Sequence, residues 1–239
     1  MTRILPLLLL SMLSTLALAA DAPDISGFWS VKFEKTPSGQ ALFDKLPKDA
    51  VFIDDAGGGE LEEGDFGGLK LSEKALEEVR NYDFSEEFSM SYTCMPPSAA
   101  FYMQAPFPME IDQGRDMIVL RMEYFDMVRI IYMDGRGHPG EDYPHSKNGH
   151  SIGHWEGDEL VVDTTHLASA TFMNNGFNHS DNIHMVERFK MSGDGQTLWL
   201  TQVYDDPEVF EGRASRYMAW RKIEGEHVYP YDCDPSFAL

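Results

Sequence analysis

Apolar and polar residues alternate in short segments over most of the chain beyond position 109. Apolar side chains at every second position are typical of strands that bury one face. Two compact turns, Glu156-Gly157-Asp158 and residues 192–196, each join two such segments into a predicted hairpin. The segments predicted as strands are 116–123, 127–134, 150–155, 159–166, 183–191, 197–204 and 215–223. Sequential hairpins with no helices between them predict an antiparallel meander.

The N-terminal half has a less regular pattern. Residues 24–33 predict a first strand, because a glycine and an aromatic pair precede alternating apolar positions. Residues 35–70 are rich in Gly, Asp and Glu and predict a long loop, whereas 72–81 predict a helix that Ser72 can cap. Closing the meander into a barrel would leave no exposed edge strand. We therefore predict a mainly β fold, an antiparallel up-and-down barrel with one short helix near the N-terminal half.

The first 20 residues differ in character from the rest of the chain. Arg3 precedes an apolar run that ends at Ala17-Leu18-Ala19, the small-x-small pattern that signal peptidases accept. A membrane anchor needs about 18 or more apolar residues and stop-transfer flanks, whereas an acidic chain follows here. We predict that residues 1–20 are a cleaved signal peptide and that 21–239 form a single β-barrel domain. The mature protein would be periplasmic or secreted, without a membrane anchor.

Charge narrows the classes of partner. Without Arg3, the mature chain has 18 Lys and Arg against 40 Asp and Glu, a net charge of −22. This balance argues against nucleic acids and anionic membranes, because both need clustered Lys and Arg. It favours a neutral or cationic ligand, and export argues against soluble nucleotide cofactors such as NAD or ATP. The oligomeric state stays open.

Cys94 and Cys233 are the two cysteines of the chain. An even pair in an exported protein usually forms a disulfide, which here would tie the segment around Cys94 to the C-terminal tail. Closing so long a loop would stabilise the fold by at most about 4–5 kcal/mol. Two free thiols are the alternative.

Histidine is concentrated in one part of the chain. Seven of the eight are His138, His145, His150, His154, His166, His179 and His184. If Gly157 and Asp158 are the two turn residues of the hairpin over 150–166, the alternation of side chains decides which residues share a face. One predicted face carries His150, Ile152, His154, Val161, Asp163 and Thr165.

Two imidazoles and one carboxylate on a single face can together provide the ligands of a metal site. Such ligands, with open positions left over, suit zinc or non-haem iron. The predicted metal ligands are His150, His154, Asp163 and His179. Solvated histidines on a polar face are the alternative.

Acid–base chemistry without a metal needs the same side chains. A histidine titrates near physiological pH and can exchange protons with a neighbouring carboxylate. The predicted catalytic residues are His150, His179, Asp163, His184 and Tyr132. Arg129 is a further candidate for orienting a substrate oxygen, with a cross-strand Arg129–Glu123 ion pair as the structural alternative.

Two short motifs suggest a nucleophilic serine. Gly149-His150-Ser151-Ile152-Gly153 matches G-x-S-x-G, but that motif works on a sharp turn between a strand and a helix, and no helix is predicted after Ser151. His179-Ser180-Asp181 places three triad-type residues side by side, whereas a triad is assembled in space. We expect neither motif to act as a hydrolase nucleophile.

The stretch from Cys94 to Pro207 resembles a family of exported bacterial proteins that has no established reaction. The motifs that carry the resemblance are C-M-P-P at 94–97, P-M-E-I-D-Q at 108–113, R-x-I-Y-x-D-G-R-x-H-P at 129–139, G-H-S-x-G-x-W-E-G-D-x-L-V-V-D-T at 149–164, H-S-D at 179–181, V-E-R-F at 186–189 and D-P at 206–207. They cover about half of the chain. His154 and His166 depart from that pattern, which shifts weight to His138, His150, His179 and His184. The opening Gly27-x-Trp29 strand and the meander are also similar, at the level of the fold, to lipocalin and calycin barrels.

These observations give two main hypotheses. The first is an exported β-barrel enzyme that acts on a small apolar or aromatic molecule by proton transfer through the His/Asp cluster. It would be a lyase, isomerase or hydrolase, with or without a divalent metal, and Met and Phe residues of 101–109 would line its cavity. The alternative is a non-catalytic, lipocalin-like protein that binds a small molecule. A structural module of the cell envelope is a third candidate.

Overall fold

A computed structural model of the chain describes residues 22–55, 61–83 and 94–238. The predicted signal peptide, residues 1–20, lies outside the described residues. The strands are β1 (Gly27–Val31), β2 (Ala50–Phe52), β3 (Met109–Gln113), β4 (Met117–Met122), β5 (Val128–Tyr132), β6 (His150–Glu156), β7 (Glu159–Thr165), β8 (Ala170–Met173), β9 (Phe177–His179), β10 (His184–Met191), β11 (Thr197–Asp205) and β12 (Arg213–Lys222).

Nine of these strands close into a barrel. Their order is β1-β3-β4-β5-β6-β7-β10-β11-β12, and β12 pairs back with β1. The predicted β-barrel is therefore confirmed, but it is mixed and not purely antiparallel. Strands β5 and β6 run parallel, and β2 adds in parallel to the start of β12. Strands β8 and β9, which follow β7 and precede β10 in the chain, form a separate two-stranded sheet.

Three short α-helices accompany the barrel in the described residues: α1 (Gln40–Phe43), α2 (Glu73–Asn81) and α3 (Ala99–Tyr102). Helix α2 confirms the predicted helix, and the Ser72 side chain accepts a hydrogen bond from the Ala75 amide at its first turn. The other two helices were not predicted, since each is a single turn. None of the described helices has the length and apolar character needed to cross a membrane.

The hairpin of β6 and β7 has the register predicted from its turn. His150 lies opposite Thr165, Ile152 opposite Asp163 and His154 opposite Val161. The two-residue turn at Gly157 and Asp158 fixes this register, because Glu156 and Glu159 are the last paired residues. The face that carries His150 and Asp163 is the outer face of the barrel.

The interior of the barrel contains an apolar part and a polar part. The apolar part is built from buried residues that include Trp29, Ile111, Ile118, Leu120, Ile131, Leu160, Phe189, Leu198 and Trp220. In the polar part, Arg129 of β5 binds Glu187 of β10. Strands β6 and β7 lie between these two strands in the order of the barrel. Both side chains are buried, so their contact crosses the interior.

Residues 94–108, which we call the cap segment, cover the polar end of the barrel. The predicted Cys94–Cys233 disulfide is confirmed and fixes the start of the segment to the C-terminal tail. Within it, the Ala100 carbonyl accepts a hydrogen bond from Arg216 and lies 3.2 Å from the Tyr204 hydroxyl oxygen. Disulfides persist in oxidising compartments, which agrees with the predicted export.

Candidate functional site

Four of the clustered side chains meet on the outer face of β6, β7 and β10. We call His138, His150, Asp163 and His184 the outer cluster. The Nε2 atoms of His138 and His184 each lie 2.9 Å from Oδ1 of Asp163. His138 Nδ1 lies 3.0 Å from His150 Nδ1. The loop before β6 brings His138 onto this face, so one carboxylate oxygen is shared by two imidazoles.

Aromatic and hydroxyl groups surround the outer cluster. The Tyr132 ring stacks on His150 with centroids 5.2 Å apart, and the Arg136 guanidinium lies 3.8 Å from the centre of the Tyr132 ring. The Thr165 hydroxyl lies within hydrogen-bond distance of His138 and His166. Of the predicted catalytic residues, the structure therefore brings together all except His179.

Contacts within the outer cluster shift the pKa values of its members. Hydrogen bonding to Asp163 raises the pKa of His184, although partial burial opposes the shift. Burial tends to raise the pKa of Asp163, but the hydrogen bonds from His184 and His138 outweigh it and lower that pKa. Burial, and then the neighbouring His138, lower the pKa of His150. The pair formed by Asp163 and His184 can thus hold a proton that His150 releases more readily.

The predicted metal ligands do not come together. Only His150 and Asp163 of that set belong to the outer cluster. The exposed His154 side chain lies near Glu156, and His179 is buried beside Ser98. No group of three or more His, Cys, Asp or Glu side chains in the described part of the chain is placed to hold a metal ion. Zinc or iron binding stays a prediction without geometric support.

His179 makes a buried structural contact. Its Nδ1 atom lies 2.7 Å from the Ser180 carbonyl oxygen, so Nδ1 carries the proton and donates. The Nε2 atom is then the acceptor, and the Ser98 hydroxyl donates to it over 2.6 Å. Neither side chain is exposed. Burial lowers the pKa of His179 to about 4, so this neutral pair links the cap segment to β9.

Neither serine motif forms a nucleophilic site. Ser151 lies within β6, and its hydroxyl contacts Arg129 and Thr164 inside the barrel. Ser180 donates to the carboxylate of Asp206, both from its hydroxyl and from its amide. Both serines therefore hold local structure.

A second polar site lies inside the barrel. Arg129 donates to both carboxylate oxygens of Glu187, and its remaining bonds go to Ser151 and Thr164. Burial tends to lower the pKa of Arg129, but the charge of Glu187 and its hydrogen bonds raise it. The arginine therefore pairs with Glu187 and not, as the structural alternative had it, with Glu123.

The buried ion pair is connected to the cap segment through two glutamines. Gln202 donates from Nε2 to Glu187 over 3.0 Å and accepts at Oε1 from the Tyr204 hydroxyl over 2.8 Å. Gln104 of the cap segment donates from Nε2 to the same Gln202 oxygen. We call Arg129, Glu187, Gln202 and Gln104 the inner network.

The inner network ends at a pocket of about 200 Å³ beneath the cap segment, which we call the end pocket. Its walls are mostly apolar and include Leu61, Phe101, Ala105, Phe107, Tyr124 and Met173. Its polar side chains include Asp55, Gln104, Asn175 and Arg216. Phe101 and Phe107 belong to the segment that the sequence predicted as a cavity lining.

Two polar groups of the end pocket lack a partner. Oε1 of Gln104 and Oδ1 of Asn175 are buried acceptors to which no group in the described residues donates. Arg216, in contrast, makes two hydrogen bonds to the Asp55 carboxylate and further ones to the carbonyls of Phe172 and Ala100. Buried polar groups are almost always paired, so these two acceptors are candidates to receive a hydrogen bond from a bound ligand or from a water molecule.

Sequence reasoning missed the inner network and the polar side of the end pocket. One signal was present in the pattern, because Glu187 lies between Met185 and Phe189 at an inward position of its strand. Gln202 lies in the same way between Leu200 and Tyr204. A polar residue at an inward position indicates a buried network or a cavity.

Comparison with known proteins gives no match, either to a family model or to a curated protein sequence. The resemblance to a family of exported bacterial proteins stays a prediction.

Proposed function

We propose that the protein is a lipocalin-like carrier that binds one small aromatic or apolar molecule in the end pocket. The observation that carries this proposal is the combination of apolar walls with two buried acceptors that lack partners. Mostly apolar pockets with a few polar groups are typical of small-molecule sites, and barrel mouths are a frequent location for them.

The size of the end pocket limits the ligand. A cavity of about 150 Å³ accepts one benzene molecule. The end pocket, at about 200 Å³, has room for a substituted single ring or a compact bicyclic molecule. The outer cluster offers less enclosure, since the Asp163 and His184 side chains are 38% and 45% exposed.

Filling the end pocket tests this proposal. Ala105 lines it, so Ala105→Phe places a ring in the space that a ligand would occupy. The matched control is Ala41→Phe on α1, where the alanine is exposed. We expect aromatic probes, followed by calorimetry and ligand-observed NMR, to bind the wild type and the control, and to bind Ala105→Phe at least about tenfold more weakly. Equal binding by all three proteins, or no binding to the wild type, contradicts the proposal.

The outer cluster favours an enzyme as the second candidate function. Two imidazoles share one carboxylate oxygen, and the pKa values of His184 and His150 are shifted in opposite directions. Such a set can pass a proton to or from a substrate. This supports the proton-transfer chemistry of a lyase, isomerase or hydrolase.

Turnover of a co-purified ligand separates the two candidates. A molecule extracted from the protein and identified by mass spectrometry is incubated with the wild type, with His184→Gln and with the exposed control His154→Gln. Conversion that the wild type and the control share and that His184→Gln loses supports the enzyme. Binding without conversion in all three proteins supports the carrier. Metal analysis of untagged protein completes this test, since stoichiometric zinc or iron that His150→Ala loses supports metal assistance.

Export is part of the proposal as well. The confirmed disulfide supports an oxidising compartment. N-terminal sequencing of protein from fractionated cells should find a chain that begins at residue 20 or 21 outside the cytoplasm. An intact N-terminus in the cytoplasmic fraction contradicts it.

A further inference from the structure

The orientation of the Gln104 side chain is fixed by its neighbours. Gln202 must donate from Nε2, because the Glu187 carboxylate can only accept. The Gln202 oxygen is therefore an acceptor, and it receives both the Tyr204 hydroxyl and the Gln104 amide. Turning the Gln104 amide around would place two oxygens against each other. The unpartnered atom of Gln104 is thus its oxygen.

The Asn175 side chain is oriented by the same logic. Its Nδ2 atom donates to the carbonyl oxygen of Asp65, and a carbonyl cannot donate in return. The unpartnered atom is again the oxygen. Gln104 and Asn175 are 5% and 3% exposed and both line the end pocket. Two fixed acceptors thus lack a donor at the same pocket.

The charges of the end pocket cancel each other. Arg216 is bound through two nitrogens to both oxygens of Asp55, at 2.8 and 2.7 Å. The Arg216 side chain is buried, and two backbone carbonyls take up further donors. Neither group is left to neutralise a charged ligand, and burying an unpaired charge is costly.

We infer that the end pocket selects a neutral aromatic molecule that carries a hydroxyl or ring N–H donor, whose hydrogen bond Gln104 Oε1 or Asn175 Oδ1 accepts. The inference rests on the proposed carrier function and adds the chemical class of its ligand. Phenols, aromatic alcohols and indoles belong to this class. Hydrocarbons of the same shape, aromatic carboxylates and aromatic amines that are charged at neutral pH do not.

Matched probes test the donor on the unmodified protein. Indole and indene have nearly the same shape, but only indole has an N–H donor. Satisfying a buried acceptor that otherwise stays unpaired favours indole by about tenfold in Kd. Benzyl alcohol, benzylammonium and benzoate form a second set that varies the charge. We expect benzyl alcohol to bind more tightly than either ion, with all values measured by calorimetry or ligand-observed NMR titration.

Two variants assign the preference to the acceptors. Gln104→Met and Asn175→Leu keep the approximate volume of each side chain and remove its oxygen. The controls are Gln40→Met and Asn81→Leu on the exposed faces of α1 and α2, where each amide likewise makes one local hydrogen bond. We expect the preference for indole over indene to shrink to less than about threefold in at least one pocket variant and to stay near tenfold in both controls.

The outcomes separate this inference from the carrier function. If indene binds the wild type as tightly as indole, the end pocket is a binding site, but the donor selection is overturned, because bound water then satisfies the acceptors. Tighter binding of benzylammonium or benzoate than of benzyl alcohol overturns the neutral class. A preference for indole that survives in both pocket variants overturns the assignment to Gln104 and Asn175. If no probe binds, the carrier function fails together with the inference.

Discussion

The outer cluster and the inner network are built from similar groups but satisfy them in opposite ways. Asp163 is partly exposed, and one of its oxygens serves two imidazoles. Glu187 is fully buried, and both of its oxygens are bound by Arg129, with Gln202 as a further donor. The outer site can therefore change its protonation, whereas the inner site holds fixed charges in place.

This difference indicates which of the two sites suits proton transfer and which suits ligand binding. Groups that exchange protons need access to solvent or substrate, which the outer face of the barrel provides. A pocket that recognises a ligand by hydrogen bonds needs acceptors that cannot turn away, and Gln202 and Gln104 are held by the ion pair behind them. We therefore expect the buried ion pair to support ligand binding in the proposed carrier.

The largest expected effect comes from breaking the inner ion pair. Arg129→Met leaves Glu187 buried without its charge partner, which typically costs about 3–5 kcal/mol. We expect the free energy of unfolding, measured by urea denaturation at pH 7, to fall by that amount. The double variant Arg129→Met/Glu187→Met should lose less than Arg129→Met alone, because it removes the unpaired charge.

An exposed ion pair provides the control for this effect. Arg213 donates to both oxygens of Asp49, and the two side chains are 38% and 69% exposed. Arg213→Met should lower the free energy of unfolding by less than about 1 kcal/mol. If Arg129→Met costs no more than Arg213→Met, the inner network does not support the barrel.

The sequence predicted the fold well where a local rule determines it. A two-residue turn at Gly157 and Asp158 sets the register of its hairpin, and the structure has that register. Parallel pairing of β5 and β6 was missed, because it depends on the return path of the loop between them and not on the alternation within either strand. Helix α3 was missed because one turn has no periodicity to detect.

The sites were predictable only where the residues share a face. His150 and Asp163 were placed together by their hairpin, and His184 joined them on the next strand. His179 was assigned to the same site, but β9 pairs with β8 outside the barrel sheet and turns its side chain towards Ser98. Gln104 lies far from its partners in sequence, so no local pattern connects it with Gln202.

Protonation of His179 should have the second-largest effect. The pKa of this buried side chain is about 4 in the folded protein, against an ordinary value of 6.5. The unfolded chain therefore takes up the proton first as the pH falls. Stability that is fully present above pH 6.5 is lost between pH 6.5 and pH 4, by on the order of 3 kcal/mol. Urea denaturation of the wild type across this range measures the loss.

Substitution of His179 isolates that contribution. His179→Asn should be less stable than the wild type at pH 7, but its stability should decline less steeply between pH 6.5 and pH 4. His154→Asn, which changes an exposed histidine, should keep the slope of the wild type. Parallel slopes for the wild type and His179→Asn would show that His179 is not the group that couples the cap segment to pH.

The outer cluster should give the smallest effect, and one of opposite sign. Hydrogen bonding to Asp163 raises the pKa of His184 above its ordinary value of 6.5, so the stability from this contact is complete below pH 6.5 and is lost as the pH rises through the raised pKa. In Asp163→Asn, the pKa of His184 should fall towards 6.5, as measured by NMR titration of its ring protons. Because both side chains are partly exposed, the free energy of unfolding at pH 6 should fall by less than about 1 kcal/mol.

Glu156→Gln is the matched control for Asp163→Asn. Glu156 lies near His154 on the same outer face, and the structure records no contact between it and His184. The pKa of His184 should therefore stay raised in this variant. A fall of that pKa in Glu156→Gln as large as in Asp163→Asn would mean that the acidic surface as a whole, and not the shared carboxylate oxygen, sets the charge of the outer cluster. The outer cluster and the inner network would then differ only in how deeply they are buried, because the outer histidines would have no specific partner.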